Sequence, residues 1–319
     1  MKISEALSQS RKDLDIKGVS NSKLDSLILL THALSCSKEY IIFNPDAELN
    51  NEQQEVFFKM VKRRAAREPV SHIIGKREFF GEDFFVSCDV LDPRPDSESL
   101  IELVLENFPQ KNNPLKILEL GVGSGCLIIT LLKACKSALG VGVDISEKAL
   151  KIAGKNATTH QVQDRLQLLQ SDLFSTLKIL NQVQDDAERK MSSSLNYQYR
   201  HPELGSGSIR SQSAENLLKF DLIISNPPYI ASQEIETLEP EVKTYEPHLA
   251  LDGGVDGFDF YRKIAAKSKD FLKENGRIIL EIGINQQEKI IEFFTKNGFQ
   301  LVEMKPDLSG IIRALCFKI

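Results

Sequence analysis

A carboxamide, two prolines and a phenol stand together at Asn226-Pro227-Pro228-Tyr229, directly after the apolar run Phe220-Asp221-Leu222-Ile223-Ile224-Ser225. A short apolar run of this kind reads as a buried strand. Each proline lacks an N–H and fixes φ near about −65°, so the chain leaves the sheet here. The residue before a proline is pushed to extended geometry, which governs how Asn226 is presented. The stiff turn would sit at a strand's carboxyl end, the edge at which open α/β sheets bind ligands. An amide nitrogen is a poor nucleophile because its lone pair is delocalised, so a site that alkylates it must hold the NH2 group tightly. The Asn226 side-chain oxygen and the Pro227 carbonyl are acceptors for its two hydrogens, and Tyr229 can stack on the planar group. The competing reading is a proline turn that ends a strand, with Asn226 capping it.

A second constellation lies upstream. The apolar segment Leu115-Lys116-Ile117-Leu118-Glu119-Leu120 reads as a buried strand and runs into Gly121-Val122-Gly123-Ser124-Gly125, followed by an apolar helix over 126–136. A glycine loop between strand and helix lets a ligand approach the backbone closely. The spacing is GxGxG, which disfavours a pyrophosphate-binding Rossmann site. A strand over 139–143 ends at Asp144, placed to accept both ribose hydroxyls, with Ser146 as cap of the next helix. A third strand, 166–170, ends at Ser171-Asp172-Leu173-Phe174, where Asp172 can meet a purine's exocyclic amine and Leu173 can pack on the ring. Glycine loop, ribose acid and base-reading acid at three successive strand ends point to a nucleoside cofactor.

The elements that position these groups follow from periodicity. Strands alternate with helices from residue 115 on, which implies a parallel, doubly wound α/β sheet. A helix over 258–274, a strand over 276–283, a helix over 286–297 and an antiparallel closing pair, 299–304 and 312–318, complete it. Residues 1–75 read as helices, with candidate capping boxes at Ser22/Asp25 and Asn50/Gln53. The helix after Asn50 carries Lys59, Lys62, Arg63, Arg64 and Arg67, either a solvated face or a docking surface for an acidic partner. Residues 76–90 read as a hairpin around a Gly-Glu-Asp turn. In Pro93-Arg94-Pro95-Asp96-Ser97-Glu98, Asp96 or Ser97 can cap the next helix, while Arg94 either pairs with a carboxylate or lines the cofactor pocket. The polar stretch 183–216 reads as a mobile insertion, and 246–254 as a loop with turn chemistry that could fold over the site.

Composition narrows the class. The 319 residues are 41% hydrophobic and 27% charged, with net charge −5 and no global basic field for nucleic acid. No apolar run approaches the roughly 20 residues of a membrane helix, and the N-terminus lacks a signal-peptide core. Five scattered cysteines with no metal-ligand spacing fit a reduced, cytoplasmic, metal-free protein.

Taken together, the helical N-terminal part, Glu68-Pro69-Val70, Gly75, the Pro93–Glu98 segment, ELGVGSG, SDLF, NPPY, Leu251-Asp252-Gly253-Gly254 and Glu281-Ile282-Gly283 resemble the HemK/PrmC family. These are glutamine N5-methyltransferases that modify peptide chain release factors with S-adenosyl-L-methionine. The resemblance covers nearly the whole chain except 183–216. NPPY alone is shared by enzymes acting on adenine, guanine and glutamine amines. The PRPDSE segment is more specific; here Asp92 stands where the family pattern is apolar and Ser97 where it has threonine.

The resemblance implies a Rossmann-like class I S-adenosylmethionine-dependent methyltransferase domain at 91–319, mostly parallel and seven-stranded with an antiparallel last strand. A helical substrate-recognition domain at 1–75 and a hairpin linker at 76–90 would precede it. Gly121, Val122, Gly123, Ser124, Gly125, Asp144, Asp172, Leu173 and Asn226 would hold the cofactor, which leaves as S-adenosyl-L-homocysteine. Asn226, Pro227, Pro228 and Tyr229 would hold the glutamine of a GGQ motif in a class-1 release factor, a protein substrate, with the enzyme acting as a monomer without metal, membrane or nucleic acid. The alternatives are amino-methylation of a ribosomal-protein glutamine or of a nucleic-acid base, and a non-catalytic binding module that keeps the cofactor pocket, against which the intact NPPY and both acids stand.

Overall fold

The structure, a computed structural model, describes residues 1–108, 114–178, 219–307 and 309–319. The insertion expected at 183–216 lies outside the described residues. The chain divides into two compact units, one of Met1–Pro93 with Ser232–Asp252, the other of Arg94–Ala231 with Gly253–Ile319.

In the first unit, α1 (Ile3–Ile16), α2 (Ser22–Leu34), α3 (Lys38–Phe43), α4 (Asn51–Ala65) and α5 (Val70–Ile74) precede a hairpin of β1 (Lys76–Phe79) and β2 (Glu82–Phe85). The helices enclose Ile3, Leu14, Leu29, Leu30, Phe57 and Val61, all at most 3% exposed. The Asn50/Gln53 capping box forms, each side chain taking the other's backbone N–H at 2.8 and 3.0 Å. The expected Ser22/Asp25 box does not. Asn21 takes the cap position, Ser22 Oγ donates to Asp15 at 2.5 Å, and Asp25 turns inward to Arg64. The hairpin turn is Phe80-Gly81, φ 52° and 77°, rather than the expected Gly-Glu-Asp, because a two-residue turn with both φ positive matches strand twist.

The excursion Ser232–Asp252, expected within the methyltransferase part, counts with this helical unit and contains the helix Pro240–Tyr245. Arg64 and Arg67, read as part of α4's basic face and its end, hold its acidic residues. Arg64 Nη2 lies 2.9 Å from Glu241, and Arg67 Nη2 lies 2.6 Å from Glu241 and 3.1 Å from Glu239. Asp92 is buried and accepts the Ser71 hydroxyl, with His72 Nε2 at 3.4 Å. Burial pushes its pKa up, but His72, Ser71 and Arg77 together hold it below the ordinary carboxylate value.

The second unit opens with a short 3-10 turn at Pro95–Ser97 and α6 (Glu98–Asn107). The expected cap by Asp96 or Ser97 is absent, since both side chains are engaged elsewhere. There follow β3 (Lys116–Leu120), α7 (Cys126–Ala134), β4 (Leu139–Asp144), α8 (Glu147–Thr159), β5 (Leu166–Gln170) and β6 (Phe220–Ser225). After the excursion come the helix Asp259–Lys267, β7 (Leu272–Glu281), the helix Gln287–Lys296, β8 (Gln300–Pro306) and β9 (Ile312–Lys318). The helix expected over 258–274 stops at Lys267. A 3-10 turn at Ser268–Asp270 follows, and Leu272, apolar and 2% exposed, pairs with Phe220 as the first residue of β7.

The sheet runs β5-β4-β3-β6-β7-β9-β8, with β9 antiparallel to both neighbours and the other pairs parallel. Central strands such as Leu222-Ile223-Ile224 are apolar on both faces because both faces are covered. Strand order reverses between β3 and β6, the switch point at which open α/β sheets leave a crevice beyond their carboxyl ends. Register levels that edge: Leu120 pairs with Val143 and Ser225, and Ser225 with Leu280. Gly121, Asp144, Asn226 and Glu281 are therefore each the next residue beyond one row.

Candidate active site

The loop after β3 bonds back onto β4, with Gly121 and Val122 N–H both donating to Val143 O at 2.9 Å. Gly121 and Gly123 have φ of 73° and 52°, and nothing within 4 Å would meet a Cβ on either. Only glycine takes such a turn cheaply, and the space over it stays open to a ligand. Val122 and Ser124 are buried beneath the loop, and Ser124 O accepts from Asn156 Nδ2 at 2.8 Å. Asp144 Oδ2 accepts from Gly123 N–H and Oδ1 from Ser146 N–H, both at 2.9 Å. The half-buried carboxylate is thus fixed at the loop's side, and the cap of α8 is Ser146, whose hydroxyl takes the Ala149 N–H at 3.2 Å.

At the next strand end, Ser171 N–H donates to Asp144 O at 2.9 Å, which brings the ends of β4 and β5 together. Asp172 is exposed beyond that bond, and Leu173, with φ 49°, is half-buried against the sheet's core. A leucine in the left-handed region costs about 1–3 kcal/mol, so the surrounding structure imposes that conformation.

Asn226 and Tyr229 are half-buried and Pro227 is buried. Two supports that spacing alone did not single out hold this turn. Gln286 Nε2 donates to Tyr229 O at 2.9 Å, while its Oε1 accepts from Gly283 N–H at 3.0 Å. Gly257 packs so closely that a Cβ there would lie 2.6 Å from Tyr229 O. The phenol's pKa is raised by burial, then by Glu281, so Tyr229 is neutral.

Behind Asn226 lies Ser97, whose Oγ receives Asn226 Nδ2 at 3.2 Å and donates to Glu281. Glu281 is 1% exposed, and burial pushes its pKa up to about 7 against the Ser97 bond and the Arg313 charge. Arg313 itself is 2.8 Å from Asp96 and 3.3 Å from Asp307. A second buried carboxyl, Glu119, accepts the Ile128 N–H at 3.0 Å in the first turn of α7. Burial, then the Asp144 charge, raises its pKa well above normal. The legible signal for both was an acid directly after an apolar run, Ile117-Leu118 before Glu119 and Ile278-Ile279-Leu280 before Glu281.

Residues 121–125, Asp144, Asp172, Leu173 and residues 226–229 thus lie along one edge of one sheet, at the ends of β3, β4, β5 and β6. The 246–254 loop divides: residues up to Asp252 belong to the helical unit, and Gly253 N–H donates to Ile230 O at 2.8 Å just past the proline turn. Among the described residues no helix is long and apolar enough to cross a membrane.

The PrmC N-terminal domain family matches residues 5–75, the methyltransferase small domain family 96–183, and the Eco57I restriction-modification methylase family 140–287. A release factor glutamine methyltransferase of Agrobacterium fabrum is 33% identical over 99% of this chain and 97% of its own length. A bifunctional methyltransferase of Rickettsia felis is 33% identical over 99% of this chain, which spans only 58% of that relative's length. Among solved structures, the hMettl16 catalytic domain, in complex with MAT2A 3'UTR hairpin 1, superposes with TM-score 0.51 at 12% identity, covering 86% of this chain and 84% of that one. That likeness concerns the fold.

Proposed function

This chain belongs to the release factor glutamine methyltransferase family, and we propose that it transfers a methyl group from S-adenosylmethionine to the side-chain amide nitrogen of a glutamine in a class-1 release factor. The observation that carries this reading is the register of the sheet. It brings the open glycine loop, the Asp144 carboxylate and the proline turn to one level at the switch point. The residues present fit the cofactor. Open space over Gly121 and Gly123 admits its methionine end, and Asp144 offers a carboxylate for ribose hydroxyls. Asp172 and Leu173 bound the region where its base would lie. When bound, the cofactor supplies an electrophilic sulfonium methyl.

The chain's own contribution is orientation. Asn226 Oδ1 and the Pro227 carbonyl each take one hydrogen of the glutamine NH2, and the neutral Tyr229 ring covers the amide plane. Holding both partners in line for displacement can contribute roughly 7–11 kcal/mol. After alkylation the amide nitrogen sheds its extra proton easily, so the site needs no dedicated base. The helical unit supplies contacts to the protein substrate, whose remote binding energy orients the reacting amide.

The match to a restriction-modification methylase family over 140–287 supports a second reading, methylation of a base amine, against which stands the net charge of −5. Incubation with methyl-labelled cofactor and, separately, release factor, ribosomal proteins, tRNA and duplex DNA separates them. Label is expected on a glutamine of release factor alone. Label only on nucleic acid would overturn the assignment.

A further inference from the structure

The polar chain behind Asn226 has a direction. A serine hydroxyl has one proton to give, and an ionised carboxylate only accepts. Ser97 commits that proton to Glu281, and both residues are buried, 3% and 1% exposed. Ser97 Oγ can then only accept from Asn226, and a carboxamide can donate only through its nitrogen. The observed contact runs that way, Asn226 Nδ2 to Ser97 Oγ at 3.2 Å. The carboxamide oxygen is left as the group free to face a substrate.

We propose that Glu281 is a positioning residue which, through Ser97, holds the Asn226 carboxamide with its oxygen toward the NH2 group of the substrate. This rests on the reading of Asn226 as an acceptor for that group. Protonating Glu281 reverses the chain: its O–H donates to Ser97, Ser97 donates to Asn226 Oδ1, and the Asn226 NH2 turns to the substrate. The substrate NH2 then faces a second NH2 group and keeps only the Pro227 carbonyl as an acceptor. Nothing is bonded or cleaved in the switch; one proton enters at Glu281.

The groups around Glu281 are the charges of Arg94, Asp96 and Arg313, the phenols of Tyr229 and Tyr261, and the Cys126 thiol. Tyr261 donates to the Glu281 backbone carbonyl at 2.9 Å, which fixes the strand end without using the carboxyl. Arg313 is shared with Asp96 and Asp307, so burial prevails and the carboxyl titrates at about 7. The productive orientation therefore dominates above that pH and is lost as the pH falls through it.

The test is the single-turnover rate on full-length release factor, with saturating cofactor, from about pH 6 to about pH 8.5. Wild type is expected to rise with one ionisation near neutrality. Glu281→Gln and Ser97→Ala are expected to lose that limb and to fall roughly 10- to 100-fold at high pH, with an unchanged cofactor Kd. Ser97→Thr keeps the hydroxyl and should restore both rate and limb. Difference infrared spectroscopy of the carboxyl stretch, assigned by its loss in Glu281→Gln, should show the same titration without turnover. Wild-type rate and limb in Glu281→Gln and Ser97→Ala, with Asn226→Ala inactive, would overturn the relay alone. Normal turnover by Asn226→Ala would overturn the acceptor reading on which it rests. A Glu281 carboxyl already ionised at about pH 5 would overturn the switch.

Discussion

Asp144 is bonded on both oxygens by backbone amides of the segments it joins, Gly123 and Ser146. A carboxylate oxygen has two lone pairs, so each keeps one for a further donor. Charge-assisted bonds contribute about 1.5–3 kcal/mol each, so Asp144→Ala should raise the S-adenosylmethionine Kd roughly 10- to 150-fold. The carboxylate is half-buried, so the fold should lose only about 1 kcal/mol. Calorimetric titration and urea unfolding on the same preparation check both numbers, and an unchanged Kd removes the ribose assignment.

Glu281 links the same edge to pH in a second, separate way. Its folded pKa is raised from 4.5 to about 7, so it contributes stability below its unfolded pKa and loses that contribution as the pH rises through about 7. At about 1.4 kcal/mol per unit, wild type should lose about 3 kcal/mol relative to Glu281→Gln between about pH 4 and pH 8. Urea midpoints at the two pH values measure this, and a constant difference would contradict the burial argument. At this scale the sequence was legible where a residue's chemistry and its strand-end position coincided, as for Asp144, Asp172 and Asn226. It was not legible for Ser97, whose partner lies 184 residues away and whose local context favoured a helix cap.

Among elements, α4 shows how a basic face can mislead. Its lysines and arginines follow helical spacing, but spacing does not distinguish a solvated arginine from a buried one. Arg64 is 6% exposed and bridges Asp25 at 2.7 Å and Glu241 at 2.9 Å. The acidic partner of this face is at least in part the chain's own Ser232–Asp252 excursion. Arg64→Ala leaves Asp25 without its buried cation and Glu241 with Arg67 alone, a loss of roughly 3–5 kcal/mol. Lys59→Ala, five residues away on the same helix and exposed, should change stability by less than about 0.5 kcal/mol. Denaturant unfolding of both variants is the check, and equal small losses would mean the Arg64 cluster is solvated. Strand and helix order was readable from alternation of period, while boundaries moved where local bonding intervened. The helix after the excursion ended at Lys267 because Leu272 was already needed opposite Phe220.

For the whole molecule, the discontinuity of the helical unit sets a clock on its manufacture. A ribosome delivers Arg67 long before Glu241, which is 174 residues downstream. At about 5–20 residues per second, the arginines wait roughly 9–35 s for their carboxylate. During that interval Arg64 has Asp25 but not Glu241, so the nascent N-terminal unit emerges with a charged seat still vacant. The segment that fills the seat begins three residues beyond Tyr229. Completion of the first unit is therefore timed by the arrival of the strand and turn that carry Asn226, and a nascent chain stalled before β6 holds neither.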